Sequence, residues 1–218
     1  MPPPNALALL TGEDRNVRKS PASFCFLALI ASVIATSAWS AIVIDATVAK
    51  DQSKKSTSVT TASFSTTSGN ELLLAFVAAD AASGANTTVT AISGAGLQWS
   101  LVQRTNAQRG TAEIWRAFSS NPLASVAVTA TLSRSVSSSI TVMSFTGVDA
   151  SGTGGSGAIG ATATANALAG APTASLVTTR DGSLVLGVGN DFDNALARTP
   201  GATQTLVHQY LAPVGDTY

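Results

Sequence analysis

The side chains able to do chemistry in this 218-residue chain are few. Charged residues make up 11% of it, as 12 basic and 12 acidic groups, with one histidine and one cysteine. The densest set of oxygen donors is Asp191-Phe192-Asp193-Asn194. In extended backbone Asp191 and Asp193 point to the same side, so the two carboxylates can share a hard cation of the calcium type. Asn194 or main-chain carbonyls would complete the shell. The EF-hand loop is excluded, because Ala195 and Leu196 occupy the positions of an oxygen ligand and the turn glycine. The competing reading is a solvated loop at a strand end.

A second constellation is Glu113-Ile114-Trp115. In a strand Glu113 and Trp115 share a face, and a tryptophan beside a carboxylate there can stack on a sugar ring and bind its hydroxyls. Glu113 and Trp115 are therefore the expected ligand-binding pair, with Trp115 the exposed one. Trp99 runs with Leu101 and is expected in the core. Glycoside hydrolysis would need Glu113 or Glu71 facing the Asp191/Asp193 group across a cleft. His208, the sole histidine, would need a serine and an orienting acid to form a catalytic triad, and reads instead as a strand surface residue.

Two glycine motifs fail on context. Gly154-Gly155-Ser156-Gly157-Ala158 lacks the final glycine of a nucleophile elbow. Gly152–Gly157 spells G-x-G-x-x-G, but Ala158-Ile159-Gly160-Ala161-Thr162 follows it and cannot supply the helix whose amides bind a pyrophosphate. No catalytic residue is assigned, and calcium is the sole cofactor that the residues suggest.

Those residues are carried by a chain with a marked N-terminal address. Arg15, Arg18 and Lys19 precede the apolar run Phe24–Ala35, and the small-x-small tripeptide Ala38-Trp39-Ser40 follows it. These are the parts of a secretory signal peptide over residues 1–40, which places the rest outside the cytoplasm, secreted or at the cell surface. The alternative is an uncleaved anchor over 22–44, long enough to span a bilayer. Cys25 lies inside the signal and leaves with it, so the remaining 178 residues have no disulfide and no thiolate ligand. They hold 9 basic and 10 acidic groups. That balance offers no basic face for nucleic acid and no membrane contact beyond the signal segment.

From Ala41 onward no helical periodicity is found. Ser, Thr, Val and Gly dominate, and branching at Cβ suits a pleated surface. About twelve short strands are expected: 41–48, 58–65, 71–78, 87–92, 98–104, 111–118, 125–132, 139–145, 158–163, 174–179, 183–188 and 203–210. Glu71–Ala78 is apolar on both faces, as a central strand would be. Many short strands between turn residues, without crossover helices, exclude a parallel α/β fold and point to a sandwich or barrel. The abrupt end at Pro213–Tyr218 suggests a fragment of a longer reading frame.

Several segments resemble a β-sandwich module of secreted bacterial multidomain proteins and phage tail-associated proteins. Ser68-Gly69-Asn70-Glu71-Leu72-Leu73-Leu74 resembles its G-[DN]-x-L-L-[LV] opening, and Gly96-Leu97-Gln98-Trp99-Ser100-Leu101-Val102 its G-W-T-L-V strand. Ala112–Ala117, Ser144–Asp149 and Asp181–Gly187 look like its later strands and its G-V-D turn. The resemblance covers roughly Ile42–Val188 and implies a jelly-roll, lectin-like fold, but no catalytic motif.

The expectation is an all-β, antiparallel jelly-roll-like β-sandwich over 41–218 after an N-terminal signal peptide. Its function would be a non-catalytic extracellular module for adhesion, carbohydrate binding or structural spacing, with a glycan or protein as partner. The alternatives are a sandwich-fold glycan hydrolase or lyase using Glu113 and the Asp191/Asp193 cluster, and a subunit of an extracellular filament or tail.

Overall fold

The computed structural model describes residues 41–218 apart from 84, 85 and 194. The expected signal peptide, Cys25 and the calcium ligand Asn194 lie outside the described residues. Val43 and Ile44, the last residues of the alternative anchor, belong to the first strand.

The architecture is all-β and antiparallel, as the composition implies. Six strands form the main sheet: β1 (Val43–Thr60), β2 (Glu71–Ala79), β3 (Val89–Gly94), β4 (Ser100–Thr105), β5 (Thr111–Ser119) and β6 (Val128–Thr146). The order is β1-β6-β2-β5-β4, and β3 pairs with the first half of β6. A two-residue hairpin, β7 (Leu211–Ala212) and β8 (Asp216–Thr217), closes the chain.

Strands expected singly prove to be halves of longer ones. The segment 41–48 falls largely within β1, and 125–132 and 139–145 fall largely within β6. Of 58–65 only the first three residues lie in β1, while Phe64 makes an isolated bridge to Val126. The two strands pair along their length, with register shifts around Ser53–Ser58. Opposite that irregularity β6 exposes Ser133–Ser135. The Lys54-Lys55 pair lies on an edge strand, where exposed lysines discourage pairing with another chain.

This bend lets one sheet fold over itself. Leu73, Ala75, Val77 and Ala79 of β2 pack with Ile140 and Val142 of β6 against Val89, Ile92, Val128, Ala130, Leu132 and Val59. Alternation sends Leu72, Leu74 and Phe76 to the opposite face, where they meet Met143 and Phe145. All nine residues of β2 are buried, as an apolar strand paired on both edges should be.

The second half of the chain departs from expectation. The segments 158–163, 174–179, 183–188 and 203–210 carry strand-forming sequences but join no ladder. Among the described residues, no strand lies between 147 and 210. This extended chain covers the Leu72–Leu74–Phe76 face through Val148, Ile159, Leu186 and Val188. The reason is geometric. β6 and β5 already take both edges of β2, and β3 and β1 cover β6, so a later segment meets side chains rather than a free row of backbone groups.

Candidate functional site

Glu113 sits on β5 directly opposite Arg104 of β4. Its carboxylate is fully buried and accepts from four directions. Oε1 receives the Val89 N–H at 2.7 Å and the Thr111 hydroxyl at 2.9 Å. Oε2 receives Arg104 Nη2 at 2.9 Å and the Trp115 indole N–H at 2.9 Å. Arg104 Nε lies 2.8 Å from Oε1, within charge contact, but its N–H is not aligned on the oxygen. Arg104 Nη2 also donates to the Val89 carbonyl at 2.7 Å.

The consequence for β3 is specific. One edge of β3 pairs with β6; at the other, both backbone groups of Val89 are met by this ion pair. The acid and the base together replace the neighbouring strand that β3 lacks there. Burying a carboxylate is tolerable only with this density of donors.

This arrangement corrects the expected exposure of the Glu113–Trp115 pair. They do share a face, but it is the face turned to the core: Trp115 is half-buried against it, with its N–H committed to Glu113. Trp99 packs on the same core, half-buried, and donates to the Gly94 carbonyl at 3.3 Å. Its expected companion Leu101 is 41% exposed, on the edge strand β4. Arg104 was missed by sequence reading. The hairpin register of 98–104 against 111–118, with opposite charges directly facing, is the signal that could have found it.

Asp191 and Asp193 follow Asn190, whose amide donates to the Ala79 carbonyl at 3.1 Å beside the Ala79–Thr111 pair of β2 and β5. Asp191 forms an isolated bridge with Thr217, and its Oδ2 is ion-paired to Arg198. Its Oδ1 accepts the Asp193 N–H at 3.3 Å, a local turn that separates the two side chains. Asp193 is exposed. Among the described residues no group of three or more His, Cys, Asp or Glu side chains could hold a metal ion. Among the described residues no hydrogen bond or ion pair joins Glu113 to Asp191 or Asp193.

His208 Nε2 lies 2.9 Å from Asp51 Oδ1, the oxygen that also accepts the Ser139 hydroxyl at 2.9 Å. A triad places the imidazole between acid and serine; here the carboxylate stands between the other two. The contact ties the 203–210 segment to β1. In the glycine-rich loop, Arg116 Nη1 donates to the carbonyls of Thr153, at 2.9 Å, and Gly154. Carbonyls turned to a guanidinium are the reverse of an anion-binding amide nest.

Two further carboxyls are buried. Asp216 of β8 is 2% exposed and accepts the Tyr218 hydroxyl at 2.6 Å. Burial pushes it up to about 6, with the Asp80 and Asp191 carboxylates adding to the rise and the tyrosine bond opposing it. Burial and Asp216 likewise raise Tyr218 above the ordinary phenol range. At the start of β2, fully buried Glu71 is raised by burial and by neighbouring Asp45. Asp45 is the extra residue of a β1 bulge, and its carboxylate is held low by the hydroxyl and N–H of Thr67.

Two cavities lie between the β2 face and the extended chain, of about 770 and 730 Å³. The larger is bordered by Arg109, Asn190 and His208; the smaller is lined chiefly by aliphatic side chains. Comparison with protein-family models, curated proteins and solved structures finds no match.

Proposed function

We propose that this chain is a non-catalytic extracellular β-sandwich module, serving adhesion or structural spacing in a larger secreted or surface protein. The observation that carries the reading is the use made of Glu113. The acid best enclosed for general acid or base work spends its oxygens holding β3, β4 and β5 together. Trp115, the residue suited to stack on a sugar, is drawn into the same network, which favours the scaffold version over carbohydrate binding through that ring.

The export half of the proposal rests on the basic, apolar and small-residue order of residues 15–40. The test is to express the full chain in a bacterial host, sequence the N-terminus of the exported protein, and offer it a panel of polysaccharides. Cleavage after Ser40 with no release of reducing ends is the expected outcome. Sugar release that disappears in both Glu113→Gln and Asp191→Asn would replace this reading with the glycan hydrolase.

A further inference from the structure

The two faces of β2 are filled differently. On the Leu73–Val77 face the side chains of β1, β3 and β6 interdigitate into a continuous core. On the Leu72–Phe76 face the covering chain leaves about 730 Å³. Protein interiors pack as densely as organic crystals, and voids beyond the size of a water are few. A space this large falls within the range of sites that enclose a small molecule.

Its floor is Leu72, Leu74, Phe76 and Phe145, each less than a tenth exposed although each borders the space. Its roof includes Leu176 and Leu184, which are 40% and 49% exposed. The apolar floor favours a hydrocarbon against it, while the unladdered chain of the roof offers polar groups to a head group. The charged groups form part of its rim, where Arg180 Nη1 pairs with Asp149 Oδ2 at 2.6 Å and Asp181 follows in the chain. Gln103 and Thr162, bonded to each other at 3.3 Å, line another part of the wall. Hydrogen bonds from Ser151, together with Arg180, hold Asp149 down to about 2, so it stays charged at neutral pH. One cation against two carboxylates leaves this rim negative, which disfavours an anionic head.

We propose that this cavity binds an unbranched aliphatic chain with an uncharged head group, such as a long-chain alcohol or a monoacylglycerol. The chain lies on the Leu72–Leu74–Phe76–Phe145 floor, and the head meets the Asp149–Arg180 rim. The site is independent of whether the chain is exported, so failure of one proposal leaves the other standing.

The experiment is displacement of the fluorophore N-phenyl-1-naphthylamine from the full chain by n-alkanols from octanol to dodecanol, below their solubility limits. Saturable one-to-one binding is expected, tightening about threefold to fourfold per added methylene until the cavity is full. Decanoate at pH 7 is expected to bind at least tenfold more weakly than decanol. Leu184→Trp, which fills the space from a half-exposed position, and Leu176→Lys, which charges the roof, should each weaken decanol at least tenfold. Val177→Lys, on an exposed residue outside the lining, should leave binding unchanged. Circular dichroism of each variant confirms that the sheet is retained. Absence of saturable binding, a flat chain-length series, or equal affinity in Leu184→Trp and Val177→Lys would overturn the site. Decanoate binding as tightly as decanol would overturn the uncharged head. Partition onto neutral phosphatidylcholine vesicles in place of one-to-one binding would show a membrane surface, not a free chain, and would overturn it too.

Discussion

Glu71–Ala79 and Ser183–Val188 are nearly interchangeable as sequences, the one Glu-Leu-Leu-Leu-Ala-Phe-Val-Ala-Ala and the other Ser-Leu-Val-Leu-Gly-Val. The first is the most buried strand of the molecule, hydrogen-bonded on both edges. The second joins no ladder and leaves Leu184 and Val185 about half exposed. Strand propensity is a preference for a pleated, half-buried surface, and it is satisfied only where a partner edge exists. The same contrast separates 43–146, where pairing and packing coincide, from 147–210, where extended chain covers a face without being laddered to it.

The largest effects should fall on the paired half. Glu113→Ala strands the half-shielded Arg104 charge and leaves the Val89 N–H without its acceptor, so a loss of about 3–5 kcal/mol is expected in urea unfolding. Asp191→Ala, breaking a more exposed pair in the other half, should cost under about 1 kcal/mol. Next, Leu73→Ala opens a cavity in the closed core and should cost about 2–5 kcal/mol. The same truncation at Leu184 should stay within about 0.5 kcal/mol. Equal losses at Leu73 and Leu184 would erase the distinction between the two halves.

Smaller effects come from the buried carboxyls. Asp216 holds its proton up to about pH 6 in the folded state, above the ordinary carboxyl range. Ionisation therefore favours release of the hairpin: its docking is fullest below about pH 4 and weakens as pH rises through 6. The span should be about 1–2 kcal/mol, followed by the tyrosine signal of the Tyr210–Tyr218 pair, whose rings lie 5.8 Å apart. Asp216→Asn should flatten that dependence and keep the hairpin docked at pH 7. Least of all, Glu71→Gln should change stability at pH 7 by under about 1 kcal/mol, because burial disfavours the charge there and the amide keeps an acceptor for the Ser68 N–H.

Much of the paired half was legible in advance. Alternation placed Ile140 and Val142 opposite Met143 and Phe145, and β2 announced itself by being apolar on both faces. Register was less legible, since the bend that joins two segments into β1, and two more into β6, depends on long-range pairing of residues about a hundred apart. The extended half misled for the same reason: its residues have strand character, and only topology shows that β5 and β6 take both edges of the strand whose face they cover. At the candidate site, the shared face of Glu113 and Trp115 followed from period two, but which way that face turned did not. Alternation is silent on inside and outside when both faces of a sheet are covered. The turn at Asp191, where its Oδ1 accepts the Asp193 N–H, is a local geometry that alternation in one sequence cannot foresee.

Amide hydrogen exchange on the full chain tests the division most directly. Protection in β2, β5 and Ser138–Thr146 of β6 should approach the limit set by global unfolding, while 159–190 should exchange orders of magnitude faster, through local opening. Uniformly high protection across 159–190, matching that of β2, would contradict the account and show a second hydrogen-bonded layer there.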